Sequence, residues 1–188
     1  MAGSQNLLRG TGPIAIAVIL WAFLHATPLL AQTRSQTKSL AGKRVLIHLK
    51  TGFKQDDNQP CVAFNMAFAA VKQGAKVEML FDAAAVVDLK IWQGKPTSLA
   101  YELPDKLKDI LITQYKTPTK KEFPETYQEF LYWLHRQGLE VSFNGALAQL
   151  TSLSNAVHDV GQLEPIAKPL SLDEILQHRA RADVYFVY

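Results

Sequence analysis

A single cysteine, set where a polar loop gives way to an apolar stretch, is the residue of this 188-residue chain best suited to covalent chemistry. In "TGFKQDDNQPCVAFNMAFAAVKQG", residues 51–74, Cys61 directly follows Pro60, a residue suited to the first turn of a helix. A thiolate at a helix N-terminus is stabilised by the dipole and by nearby cations, which makes it a ready nucleophile. In that arrangement Lys50 or Lys54 would stabilise the anion, His48 or Asp82 would move protons, and Asn144 with the Gly145 N–H would bind a polar group. A plainer reading stands beside it. Cys61 precedes Phe64, Phe68 and Val71 on one helical stripe, and unpaired cysteine is among the most often buried residue types. Similarly, His48 would be a strand-end histidine held by hydrogen bonds, Asp82 a helix cap, and Asn144-Gly145 turn chemistry. Both readings remain open at this level, as does an interchain disulfide.

The elements that must position these residues follow from periodicity and punctuation. "RVLIHLK" (44–50) predicts a strand ending at Thr51-Gly52, and residues 60–71 an almost wholly apolar helix stopped at Gly74. "KVEMLF" predicts a second strand, and "DAAAVVDLK" a helix opened by Asp82. Strand, helix and strand in close succession make a βαβ unit with parallel strands. "WQGKPTSLAYEL" reads as irregular surface. Helices are then predicted over "PDKLKDILITQY" and over "PETYQEFLYWLHRQG", where Tyr127, Phe130, Leu131 and Leu134 fall on one face. "LEVSF" predicts a third strand ending at Asn144-Gly145, followed by a helix over "ALAQLTSLS". An extended "EPIAKPLS", a helix "LDEILQHRARA" and a last strand "DVYFVY" complete a three-layer α/β domain with a mostly parallel sheet of about five strands. In such a sheet His48, Lys50 and Lys54, Asp82, and Asn144 all fall near the carboxyl ends of strands, where ligands gather.

The first residues read differently. "IAIAVILWAFL", Ile14 to Leu24, follows a stretch whose only charge is Arg9, the layout of a secretory signal. Its 11 residues fall short of the roughly 20 that span a bilayer. Three readings follow: a cleaved leader over 1–31, an uncleaved N-terminal anchor, or an apolar helix belonging to the fold. The polar "QTRSQTKSLAGKR" behind it makes 32–42 a linker and places the folded domain at 43–188. Export to the periplasm or beyond is thus expected, with membrane association only if the leader stays attached.

With 48% hydrophobic and 20% charged residues the composition is that of a globular protein. Without 1–31 the chain keeps 19 basic and 17 acidic residues, a net charge of +2 that suggests no nucleic-acid partner. One cysteine cannot form an internal disulfide, so stability rests on the core. His135, His158 and His178 have no metal-ligand spacing, and the loop after the first strand has one glycine where a dinucleotide fingerprint needs three. Neither metal nor cofactor is expected. Ser142 and Ser154 lack the elbow motif of a hydrolase nucleophile.

"RVLIHLKTG", the alanine-rich helix closing at "QGAKVEMLFD", "LEVSFNGAL" and "PLSLDEILQHRARADVYFVY" together resemble the DsrE-like family, especially its exported members. The resemblance runs from about Lys43 to Tyr188. It implies a flavodoxin-like α/β sandwich, assembly into homotrimers or hexamers, and kinship with sulfur-relay proteins that carry persulfide sulfur on a cysteine. Sulfur-carrying members place that cysteine in a loop equivalent to "VSFNGAL", which here holds Ser142, Asn144 and Gly145 and no thiol. Two functions follow as expectations: a small-ligand-binding or accessory oligomeric protein, or a sulfur- or thiol-handling carrier acting through Cys61. The ligand would be small and polar or sulfur-containing.

Overall fold

Aliphatic residues in succession make Arg44–Leu49 a strand, β1, whose side chains are all buried after Arg44, as expected of a parallel strand covered on both faces. The computed structural model describes residues 39–116 and 119–188. The predicted leader and most of the predicted linker lie outside the described residues. Behind β1, helix α1 spans Asn58–Lys72 with Pro60 in its first turn, and the chain leaves it through Gly74 at φ 76°. Strand β2, Lys76–Phe81, pairs in parallel with β1 from Arg44↔Lys76 to Leu49↔Phe81.

Beyond β2 two expectations are corrected. Residues 83–89 form a 3-10 helix, with the Asp82 carboxylate accepting from the Ala83 N–H and Ala83 at φ +46°. A left-handed start of this kind does not lead into a regular α-helix. The stretch read as irregular surface carries a hairpin, β3 (Ile91–Trp92) with β4 (Lys95–Pro96), turned by Gln93 and Gly94 at φ 49° and 76°. Two successive positive φ angles match the hand of a tight hairpin. Leu99 and Leu103 then turn inward and are buried.

Helix α2 spans Asp105–Tyr115 and α3 Tyr127–Arg136, the latter opened by a Thr126–Glu129 capping box and burying Tyr127, Phe130, Leu131 and Leu134. Strand β5 (Glu140–Asn144), helix α4 (Gly145–Leu150), strand β6 (Ala167–Leu170), helix α5 (Leu172–Arg181) and strand β7 (Val184–Val187) complete the order. No described helix is long and apolar enough to cross a membrane.

The main sheet has five strands, all parallel, in the order β6-β5-β2-β1-β7. From β1 the chain steps outward through β2 and β5 to β6, then returns to the far side of β1. Right-handed crossovers taken in opposite directions along a sheet fall on opposite faces. Accordingly α1 and α3 pack on one face, against Val45, Ile47, Leu49, Met79, Phe81 and Phe143, and make the main core with Phe64, Phe68 and Phe130. Each such phenylalanine contributes roughly 2–3 kcal/mol on burial.

The other face is covered by α5, whose apolar cluster is only Leu46, Leu80, Leu170 and Ile175. Polar side chains occupy the rest of that face: His48, Glu78, Ser142 and Asn144 share it by strand alternation and register. A thinly covered, polar sheet face is what positions the site.

Candidate functional site

At the carboxyl edge of the second face, four strands contribute to one hydrogen-bonded chain. His48 of β1 lies with Nε2 2.8 Å from Oδ2 of Asp82, the residue after β2, and with Nδ1 2.6 Å from the Tyr185 hydroxyl of β7. Asp82 Oδ1 accepts from Asn144 Nδ2 of β5 at 2.8 Å and from the Ala83 N–H at 2.7 Å. Asn144 Oδ1 in turn accepts from the Leu147 N–H and caps α4. An ionised carboxylate only accepts, so His48 Nε2 carries a proton toward Asp82, while Nδ1 shares a hydrogen bond with the Tyr185 hydroxyl whose direction follows the proton count of the ring. The bonds therefore link Tyr185, His48 and Asp82 in one chain, with Asn144 donating to Asp82 from the other side.

Electrostatics follow this geometry. The hydrogen bond from His48 holds the Asp82 carboxyl well below the usual carboxylate range; burial opposes this, and the Asn144 and Ala83 bonds assist. Ala83 is the local cost of the arrangement, since a non-glycine residue in the left-handed region is disfavoured by about 1 kcal/mol. Its amide can reach the Asp82 oxygen from that conformation. Both His48 nitrogens are committed, and the imidazole is nearly fully buried. Tyr185, only half-buried, is the outer end of the chain, with the Arg179 guanidinium 4.8 Å above its ring.

Cys61 lies elsewhere. It sits in the first turn of α1, its own N–H already donating to the Asp57 carbonyl at 3.2 Å. The half-buried sulfur packs against the main core, 3.9 Å from Asn65 Nδ2. Burial, and then the adjacent Cys61, push the Tyr127 phenol above its usual range. Since α1 covers the first face of the sheet and His48 and Asp82 occupy the second, the sheet itself stands between the thiol and this pair. The expected single site is thus divided in two.

The remaining candidates are distributed around this division. Lys50 is exposed just past β1, with its backbone N–H on the Tyr188 carbonyl at 2.7 Å. Lys54 is exposed in the β1–α1 loop, which is anchored by the buried Asp88 carboxylate through the Phe53 N–H at 3.0 Å. Burial pushes the Asp88 carboxyl up to about 6, against the Phe53 bond and the Lys54 charge. Gly145 is buried where the backbone crosses itself: a Cβ there would lie 1.9 Å from the Val157 carbonyl oxygen. The space above Gly145 that a ligand would need is filled by Val157.

Sequence reasoning passes over Tyr185, because "DVYFVY" reads as any aromatic edge strand and nothing local announces its pairing with β1. It also passes over a second polar group on β2. Glu78 accepts from the Ser142 hydroxyl through Oε1 and from His178 Nδ1 at 2.7 Å through Oε2. Among the described residues no group of three or more His, Cys, Asp or Glu side chains is arranged to hold a metal ion.

No family model matches the chain, and no curated protein matches it in sequence. Among solved structures, the crystal structure of the ychN protein from E. coli superposes with a TM-score of 0.51 at 14% identity, covering 78% of this chain and 99% of that one. A likeness at that identity establishes the fold alone, a flavodoxin-like α/β sandwich of the DsrE type.

Proposed function

We propose that this DsrE-type fold serves as an exported small-ligand-binding or accessory oligomeric protein that does not itself pass sulfur. The observation that carries the reading is the separation of Cys61 from the His48–Asp82 pair by the thickness of the sheet. Sulfur transfer needs a thiolate with a group to take its proton and a path for the incoming donor. Here the His48–Asp82 pair faces the other way, and both its histidine nitrogens are occupied. The loop in which sulfur-carrying relatives keep their cysteine holds Asn144, whose amide is engaged at both ends. Ligand contacts at the carboxyl edge fall to the exposed Lys50 ammonium, the partly exposed Asp82 and the Tyr185 hydroxyl. Export and assembly into trimers or hexamers come with the leader-like N-terminus and the family resemblance.

Persulfide loading tests this. Purified protein incubated with a polysulfide donor and weighed by intact mass is expected to gain no sulfur while remaining folded and oligomeric. A gain of one sulfur atom that disappears in Cys61→Ser would overturn the reading in favour of a sulfur carrier acting through Cys61.

A further inference from the structure

A cavity of about 540 Å³ opens at the amino end of the sheet, between the starts of β1 and β2 and the last turn of α5. That volume falls in the range of small-molecule sites. Its charged lining consists of Arg44, Lys76, Arg181, His178, Glu78 and Glu140. The three cations have no carboxylate within ion-pairing distance among the described residues. Of the two carboxylates, Glu78 is already occupied by Ser142 and His178. Three cations against two carboxylates leave the lining with one net positive charge, and the cations have no ion-pair partner inside it.

His178 supplies the directional element. Its Nδ1–H donates to Glu78, which fixes the ring, and Nε2 has no partner among the described residues while the side chain lines the cavity. A carboxylate that holds one imidazole nitrogen and leaves the other aimed at open space is the arrangement by which proteins orient a histidine toward a ligand. His48 makes the contrast, since both of its nitrogens are consumed inside the protein. Leu46 and Ala182 contribute an apolar wall, which favours a ligand with a carbon skeleton over a bare inorganic ion.

We infer that this amino-end cavity binds an organic anion of metabolite size, its negative group held by Arg44, Lys76 and Arg181 and hydrogen-bonded by His178 Nε2. It lies at the opposite end of the sheet from the carboxyl edge and does not involve Cys61, so it stands or falls separately from the proposed function.

NMR titration of the full chain tests it, following the His178 Hε1 resonance while succinate, citrate or glycerol phosphate is added, with inorganic phosphate as the size control. At least one organic anion should move the His178 signal saturably and leave that of His48 in place. The triple variant Arg44→Gln/Lys76→Gln/Arg181→Gln, altering exposed side chains only, should bind at least tenfold more weakly with an unchanged amide fingerprint. Absence of a saturable His178 shift with all three organic anions overturns the inference. So does undiminished affinity in the folded triple variant, or phosphate binding as tightly as the best organic anion.

Discussion

His48 and Asp82, 34 residues apart in sequence, meet at 2.8 Å across the carboxyl ends of adjacent parallel strands, and each is bonded onward, to Tyr185 and to Asn144. The pair thereby links β7, β1, β2 and β5 at one edge of the sheet. On a face covered by a single short helix, these bonds do work that apolar packing does on the other face.

Asp82→Ala should lower stability by about 2–4 kcal/mol, because it leaves the His48, Asn144 and Ala83 donors without their acceptor. Urea denaturation at pH 7 measures this, and a loss below about 1 kcal/mol would mean that water replaces the carboxylate at little cost. The Asp82 pKa is lowered on folding, so its contribution is present above the ordinary value of 3.8 and disappears as pH falls through the folded value. The acid limb of the stability curve below about pH 4 should therefore be shallower in the variant.

Asp88 works in the opposite sense. Its folded pKa is raised from 3.8 to about 6, so the folded state holds the proton more tightly and stability falls as pH rises through that window. The cost at neutral pH is roughly 3 kcal/mol at most. Asp88→Asn keeps an oxygen for the Phe53 N–H and removes the buried charge. Thermal unfolding should show the variant more stable than wild type at pH 7 and nearly level with it at pH 4; an equal difference at both values would disprove the assignment.

Gly145→Ala and Gly138→Ala separate steric from conformational cost. The first puts a Cβ 1.9 Å from the Val157 carbonyl oxygen and requires the segment to move, which should cost about 2–4 kcal/mol. The second has open space around it but φ at +100°, and should cost about 1 kcal/mol from backbone strain alone. Chemical denaturation of the two variants side by side should preserve that order.

Cys61 should react with a small alkylating reagent at neutral pH much more slowly than a free thiol in solution and reach full labelling only on denaturation, since its sulfur packs against the main core. Cys61→Ala should cost about 1 kcal/mol, below the range for a fully buried large side chain. Labelling as fast as that of free cysteine would show an activated thiolate and weaken the packing account.

Local pattern carried much of this molecule. Apolar runs and their glycine stops located β1, α1 and β2, the i, i+3, i+4 spacing from Tyr127 located α3, and Asp82 was readable as a cap. The 3-10 helix after Asp82 escaped because the hydrogen bonds of Asp82 to His48 and Asn144 are long-range, and they hold the chain where Ala83 must turn left-handed. The hairpin at Gln93-Gly94 escaped because each of its strands is only two residues long, too short for alternation to register.

The sequence alone determined that the sheet is mostly parallel and that His48, Asp82 and Asn144 come at strand ends, because strand periodicity and helix punctuation are local properties of the chain. Which face each end presents, and to whom, was decided by the tertiary structure. Tyr185 reaches His48 across 137 positions because β7 pairs with β1 at the far side of the sheet, with Leu46↔Tyr185 in register. Cys61 is parted from the same histidine because its helix crosses on the other face. Strand order and crossover direction are global properties, set by how the whole apolar surface can be buried at once.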